Sequence, residues 1–202
     1  VPADADFIIE GYIDPDEALI IEGPFGDHTG FYSLADEYPR FHITCISHRQ
    51  NAIYPATVVG IPPKEDAWLG KATERIFLFP IRASVVPEML DIHMPQEGVF
   101  HNVVLVRIRQ SYTGQARKVM NALWGAGQMM FNKFLIVVNE DVELTDYRQV
   151  LRAVMFRVDL LRDLCFSQGP ADVLDHSSQR FAYGGKLGID ATLEENLQAK
   201  DD

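Results

Sequence analysis

The chain has 202 residues, 47% hydrophobic and 23% charged, a composition that suits a globular protein with a proper core and excludes disorder over most of its length. Its net charge of -11 and pI near 4.9 oppose a phosphate backbone or an anionic membrane surface, which excludes nucleic acid as a partner. No apolar run reaches the roughly 18 residues of a membrane span and no signal peptide opens the chain, so a cytoplasmic protein is the expectation.

Residues 7–13 (FIIEGYI) and 18–21 (ALII) read as two neighbouring strands with a polar stretch between them. Residues 41–47 (FHITCIS) alternate as a strand, and 52–60 form an extended, proline-containing segment, so residues 1–60 are expected to be β-rich. The run Ile61-Pro62-Pro63-Lys64 breaks this pattern and places a domain boundary near residue 60. Helical spacing follows over 65–79, ended by Pro80. Residues 85–93 and 103–110 then read as strands, 114–130 as a helix, 133–139 as a strand and 147–159 as a helix. That alternation predicts an α/β (α+β) chain with a layered second domain over 61–190.

Gly125 and Gly127 each cost about 1 kcal/mol inside a helix relative to Ala, so they loosen or close-pack that element. Gly184-Gly185-Lys186 lacks the rest of a phosphate loop and reads as a turn. Residues 191–202 read as an acidic, flexible tail. Cys45 and Cys165, far apart and without metal-ligand spacing, are expected to be buried, reduced thiols. Six histidines also lack the spacing of a metal motif, and no metal site is expected from this chain alone.

Chemistry concentrates near the start. Eight acidic residues, from Asp4 to Asp27, precede the first base, Arg40. Two of them flank the turn Glu22-Gly23-Pro24-Phe25-Gly26-Asp27, where Pro24 fixes its own φ and the glycines permit a sharp bend. Glu22 and Asp27 can then face one pocket. Two carboxylates at close range without a cation raise one pKa and leave a proton for general acid work. From residue types alone, a pair of solvated turn acids is the plainer alternative.

The run from Glu22 to Ser33 (EGPFGDHTGFYS), preceded by VPADADFIIEG, resembles the signature of the UbiD family of prenylated-flavin-dependent decarboxylases. The resemblance continues through RQNAIYP at 49–55, FNKFLIVV at 131–138 and GKLGIDAT at 185–192. It looks closest to bacterial members linked to quinone biosynthesis. It implies that residues 1–60 are the end of a split-barrel flavin-binding domain and that 61–190 form the family's C-terminal, self-associating domain. It implies a non-oxidative, reversible decarboxylase of aromatic or unsaturated acids, 3-polyprenyl-4-hydroxybenzoate among them.

By the same resemblance Asp27 holds the place of the proton donor, and Glu22 that of its partner in a Glu-Arg-Glu/Asp network. The network's arginine, and the Asn, His and Glu that hold manganese beside the flavin phosphate, would belong upstream of Val1. The parent protein is thus expected to use prenylated FMN and Mn2+, and this chain by itself to bind neither and to be inactive. Lys133 opens an apolar strand beside a glycine-rich helix end, where it either reaches the cofactor phosphate or forms a structural ion pair. His28 either tunes Asp27 or anchors the backbone. A non-catalytic self-association or small-ligand-binding domain is the alternative function.

Overall fold

The computed structural model describes residues 1–193. The N-terminal sixty residues form two small antiparallel pairs, and none of these residues is buried. Strand β1 (Phe7–Ile13) pairs with β4 (Phe41–His48), and β2 (Ile20–Glu22) with β3 (Asp36–Tyr38). The two strands expected to be neighbours therefore pair with different partners, because the turn between β2 and β3 closes on itself. Cys45 is exposed rather than buried: it lies on β4, and no residue of the two-stranded sheet β1–β4 is buried. Cys165 is buried as expected.

Helix α1 (Glu65–Ser84) runs straight through Pro80 instead of stopping there. A proline inside a helix forfeits one hydrogen bond and clashes with the preceding turn, at a cost of about 3 kcal/mol. Here Ile81 and Val85 lie beyond it and pack against the main core, and the Ser84 hydroxyl donates to the Pro80 carbonyl at 2.7 Å. The next strand, β5, accordingly begins only at Met89 (Met89–His93).

A five-stranded sheet follows, in the order β5-β6-β7-β9-β8. Strands β6 (Val103–Ile108), β7 (Phe134–Asn139) and β9 (Tyr183–Ala191) are mutually parallel. Strands β5 and β8 (Leu164–Pro170) are antiparallel edges. Side chains alternate across the central strands, so Val104, Val106, Leu135 and Val137 join one core with α2 (Gln115–Trp124). Leu105 and Val138 join a second core with α3 (Tyr147–Arg157) on the opposite face.

Three expectations change here. The helix read as 114–130 ends at Trp124, with Gly125 as its cap, and Met130 lies in a short 3₁₀ segment, Gly127–Phe131. Gly184-Gly185-Lys186 is part of β9, not a turn. Ala191, placed in the tail, is fully buried at the end of β9; residues 194–202 of that tail lie outside the described residues.

Candidate active site

The acidic turn is built by the backbone. The Asp27 and Ser33 amides donate to the carbonyls of Phe31 and Phe25 at 3.0 and 2.8 Å. Gly30 closes the loop by donating to the Asp27 carbonyl at 3.0 Å, with φ at +83°, a conformation glycine adopts without steric cost. The side chain of Asp27 is 21% exposed. Its Oδ1 accepts two hydrogen bonds from His28, from the amide at 2.7 Å and from ring Nδ1 at 2.9 Å. Both contacts place His28 against the Asp27 carboxyl.

His28 reaches across to the turn that precedes β6. Its ring stacks on Phe100, with centroids 5.0 Å apart, and its Nε2 lies 2.9 Å from Nε2 of His101. Burial pushes the His101 imidazole below its usual pKa against the pull of Asp172, and the neighbouring His28 reinforces burial. His101 carried no sequence signal; only its contact with His28 singles it out.

Asp27, His28 and His101 all line a cavity of about 700 Å³ between the acidic turn, α1 and the 3₁₀ segment. Its walls are mainly apolar and include Leu69, Phe77, Ile81 and Met129, and among the described residues no Lys or Arg lines it. On its floor Glu74 is fully buried and accepts from Lys71 Nζ and Arg75 Nη2, both at 2.6 Å, and from the Met94 amide at 2.7 Å. Burial opposes its ionisation, but the hydrogen bonds with His93, Lys71 and Met94 outweigh that and lower its pKa to about 2. The opposite wall is tied down by the buried Lys186, whose ammonium donates to the carbonyls of Met130 and Asn132. Burial lowers the pKa of Lys186, with Asp175 opposing.

The other expected site residues lie elsewhere. Glu22 ends β2, is exposed and does not line the cavity, so the structure does not bring it to a common pocket with Asp27. The β2–β3 pairing that holds Glu22 against Asp36 separates it from the turn tip where Asp27 sits. Lys133 also lies outside the cavity, bonded to both carboxylate oxygens of Asp175 (3.2 and 3.0 Å) and to the Ser177 hydroxyl. It forms an ion pair with Asp175. Among the described residues no group of three or more His, Cys, Asp or Glu is arranged to hold a metal ion. No helix among them is long and apolar enough to cross a membrane.

Comparison with known proteins finds two matching family profiles. Residues 1–62 match the 3-octaprenyl-4-hydroxybenzoate carboxy-lyase Rift-related domain, and 67–191 match the C-terminal domain of the same carboxy-lyase. A protein of Archaeoglobus fulgidus is 55% identical over 193 residues, which cover 95% of this chain and 40% of that protein. A Helicobacter pylori protein is 47% identical over 197 residues, 97% of this chain and 32% of that protein. This chain thus spans well under half the length of these relatives.

Among solved structures, the closed form of the vanillic acid decarboxylase of Sedimentibacter hydroxybenzoicus superposes with a TM-score of 0.88 at 28% identity, over 100% of this chain and 42% of that one. The UbiD-class enzyme HmfF of Pelotomaculum thermopropionicum, in complex with FMN, gives 0.79 at 29%, over 100% and 44%. With both profiles matched in chain order and the fold shared along its whole length, the chain belongs to the UbiD family of carboxy-lyases.

Proposed function

We propose that the longer protein to which this chain corresponds is a non-oxidative, reversible decarboxylase of an aromatic or unsaturated carboxylic acid, with Asp27 as its proton donor. The observation that carries this reading is a shielded carboxyl at the edge of an apolar cavity, held by hydrogen bonds on one oxygen. The walls of Leu69, Phe77, Ile81 and Phe100 accept a flat unsaturated ring and keep water from the carbon that is to be protonated. His28 orients the carboxyl, and Asp27 delivers a proton to the carbon that lost carbon dioxide.

Prenylated FMN, when bound, supplies the electron sink that lets carbon dioxide leave. The apolar cavity suits the ring portion of such a group. It does not suit a phosphate or Mn2+, for no cation lines it and no metal-ligand cluster occurs among the described residues. We assign those ligands, and the arginine that would bridge Glu22 to Asp27, to polypeptide outside this chain, and we read this chain alone as inactive. In this reading residues 1–60 complete a flavin-binding split barrel and 61–190 form the self-associating domain.

The substrate we favour is 3-polyprenyl-4-hydroxybenzoate or a related quinone-pathway acid, with vanillic acid, the substrate named for a structural relative, as the comparison. The test is carbon dioxide release from both acids by the full-length protein supplied with prenylated FMN and Mn2+. Asp27→Asn is expected to lower turnover by roughly 100-fold or more. Turnover unchanged in that variant overturns the assignment.

A further inference from the structure

We infer that Asp172 is a specificity-determining residue of the same cavity: its Oδ2 accepts the hydrogen of a phenolic hydroxyl on the aromatic acid, so that ring acids with a free hydroxyl are preferred to their methyl ethers. This rests on the reading of the cavity as the site of an aromatic acid decarboxylase.

Asp172 lies two residues beyond the end of β8 and lines the cavity together with Asp27, His28 and His101. The loop that carries it meets the acidic turn directly, for the Phe31 ring packs on His176 with centroids 4.8 Å apart. His28 contacts both Asp27 and His101, and the Asp172 carboxylate acts on the same His101 ring through space. Asp172 therefore belongs to the end of the cavity at which Asp27 stands.

Its carboxylate is only half used by the protein. Oδ1 accepts from the Leu174 amide at 2.8 Å, while Oδ2 has no hydrogen-bond or ion-pair partner among the described residues. The other acids of the cavity are answered. Asp27 accepts from His28, Glu74 accepts from Lys71, Arg75 and the Met94 amide, and Asp66 sits in the first turn of α1, where the helix dipole favours a negative charge. Among the described residues no Lys or Arg lines the cavity, so none of them neutralises Asp172 there. A carboxylate oxygen beside apolar walls loses hydration when a ligand fills the space, and that loss is offset only by a donor on the ligand. A phenolic O–H is such a donor, and its ring suits the walls of Phe77 and Phe100.

The loop holds this oxygen in place before anything binds. Ala171 and Leu174, on either side of Asp172, are both buried. The Ala171 amide donates to the Ala182 carbonyl at 3.0 Å, and the Asp175 amide to the Asp172 carbonyl at 3.0 Å. Lys133, the residue before β7, bonds both carboxylate oxygens of Asp175 and the Ser177 hydroxyl, which ties the loop to the centre of the sheet. A polar group fixed in this way discriminates strongly, because a ligand without the matching donor leaves it unpaired.

The test is calorimetric binding of 4-hydroxybenzoate and 4-methoxybenzoate to the full-length protein loaded with FMN, which lacks the prenyl group and so leaves both acids unconsumed. The wild type is expected to bind the hydroxy acid about tenfold or more tightly than the methoxy acid. Asp172→Asn keeps a carbonyl oxygen for the Leu174 amide and puts an NH2 group, which can donate to an ether oxygen, where Oδ2 stands. The preference is expected to fall to about threefold or less in that variant. Equal binding of the two acids by the wild type overturns the proposal, whether or not the variant folds, and so does binding of neither. An unchanged preference in a folded Asn variant also overturns it, since the discrimination would then be steric. Binding is read without turnover, so unchanged decarboxylation by Asp27→Asn would remove the proton-donor reading and leave this result standing.

Discussion

Lys186 donates to the carbonyl of Asn132 at 2.9 Å, so the buried centre of β9 holds the end of the cavity wall. A buried ammonium is costly unless its hydrogens are taken, and here the carbonyls of Met130 and Asn132 take them. Lys186→Met keeps the length and apolar stem of the side chain and removes the donor. It is expected to lower stability by roughly 2 kcal/mol, read from urea denaturation, and to speed proteolysis within residues 127–132.

Glu74 makes stability depend on acid. Its folded pKa of about 2 lies below the ordinary 4.5, so the contribution is complete above pH 4.5 and is lost as the pH falls toward 2. Denaturation midpoints measured across that window should fall steeply in the wild type. Glu74→Gln should be less stable at neutral pH by roughly 2 kcal/mol and show a shallower acid limb. Parallel curves for the two proteins would contradict the assignment.

Close packing of α2 on β9 depends on Gly188. A Cβ there would stand 2.4 Å from Sδ of Met120 and 3.1 Å from the Trp124 ring. Gly188→Ala is expected to cost about 1 to 3 kcal/mol through overpacking. Adding Met120→Ala should cost less in that background than in the wild type, a non-additivity that a double-mutant cycle measures.

The outer surface of α3 and the loop after it expose Leu151, Met155, Phe156 and Leu161, the last at 99%. Such a patch marks an interface more often than a solvated face. Light scattering of the wild type at tens of micromolar is expected to report an oligomer, and Phe156→Asp with Leu161→Asp a lower mass. Equal masses would discard this patch as the self-association surface.

The readability of each part followed from the range of the forces that form it. Strands β6 and β7 are continuous apolar runs, and α3 opens with Asp146 accepting from the Arg148 amide, so these elements announced themselves locally. Strands β8 and β9 did not. Their glycines and Pro170 carry little strand preference, and they are strands because their neighbours in the sheet pair with them. Pro80 misled for the converse reason: tertiary packing of Ile81 and Val85 overrode a local stop signal.

The sequence by itself determined the family, the layered α/β architecture and the place of Asp27 in a glycine- and proline-bent turn. Types and spacings over a few residues suffice for those features. Tertiary structure alone decided that Asp27 faces an apolar cavity while Glu22 does not, that Lys133 pairs with Asp175, and that His28 meets His101 from 73 residues away. Those outcomes depend on which distant segments pack together, and hydrophobic burial selects that without leaving a mark in the local order of residues.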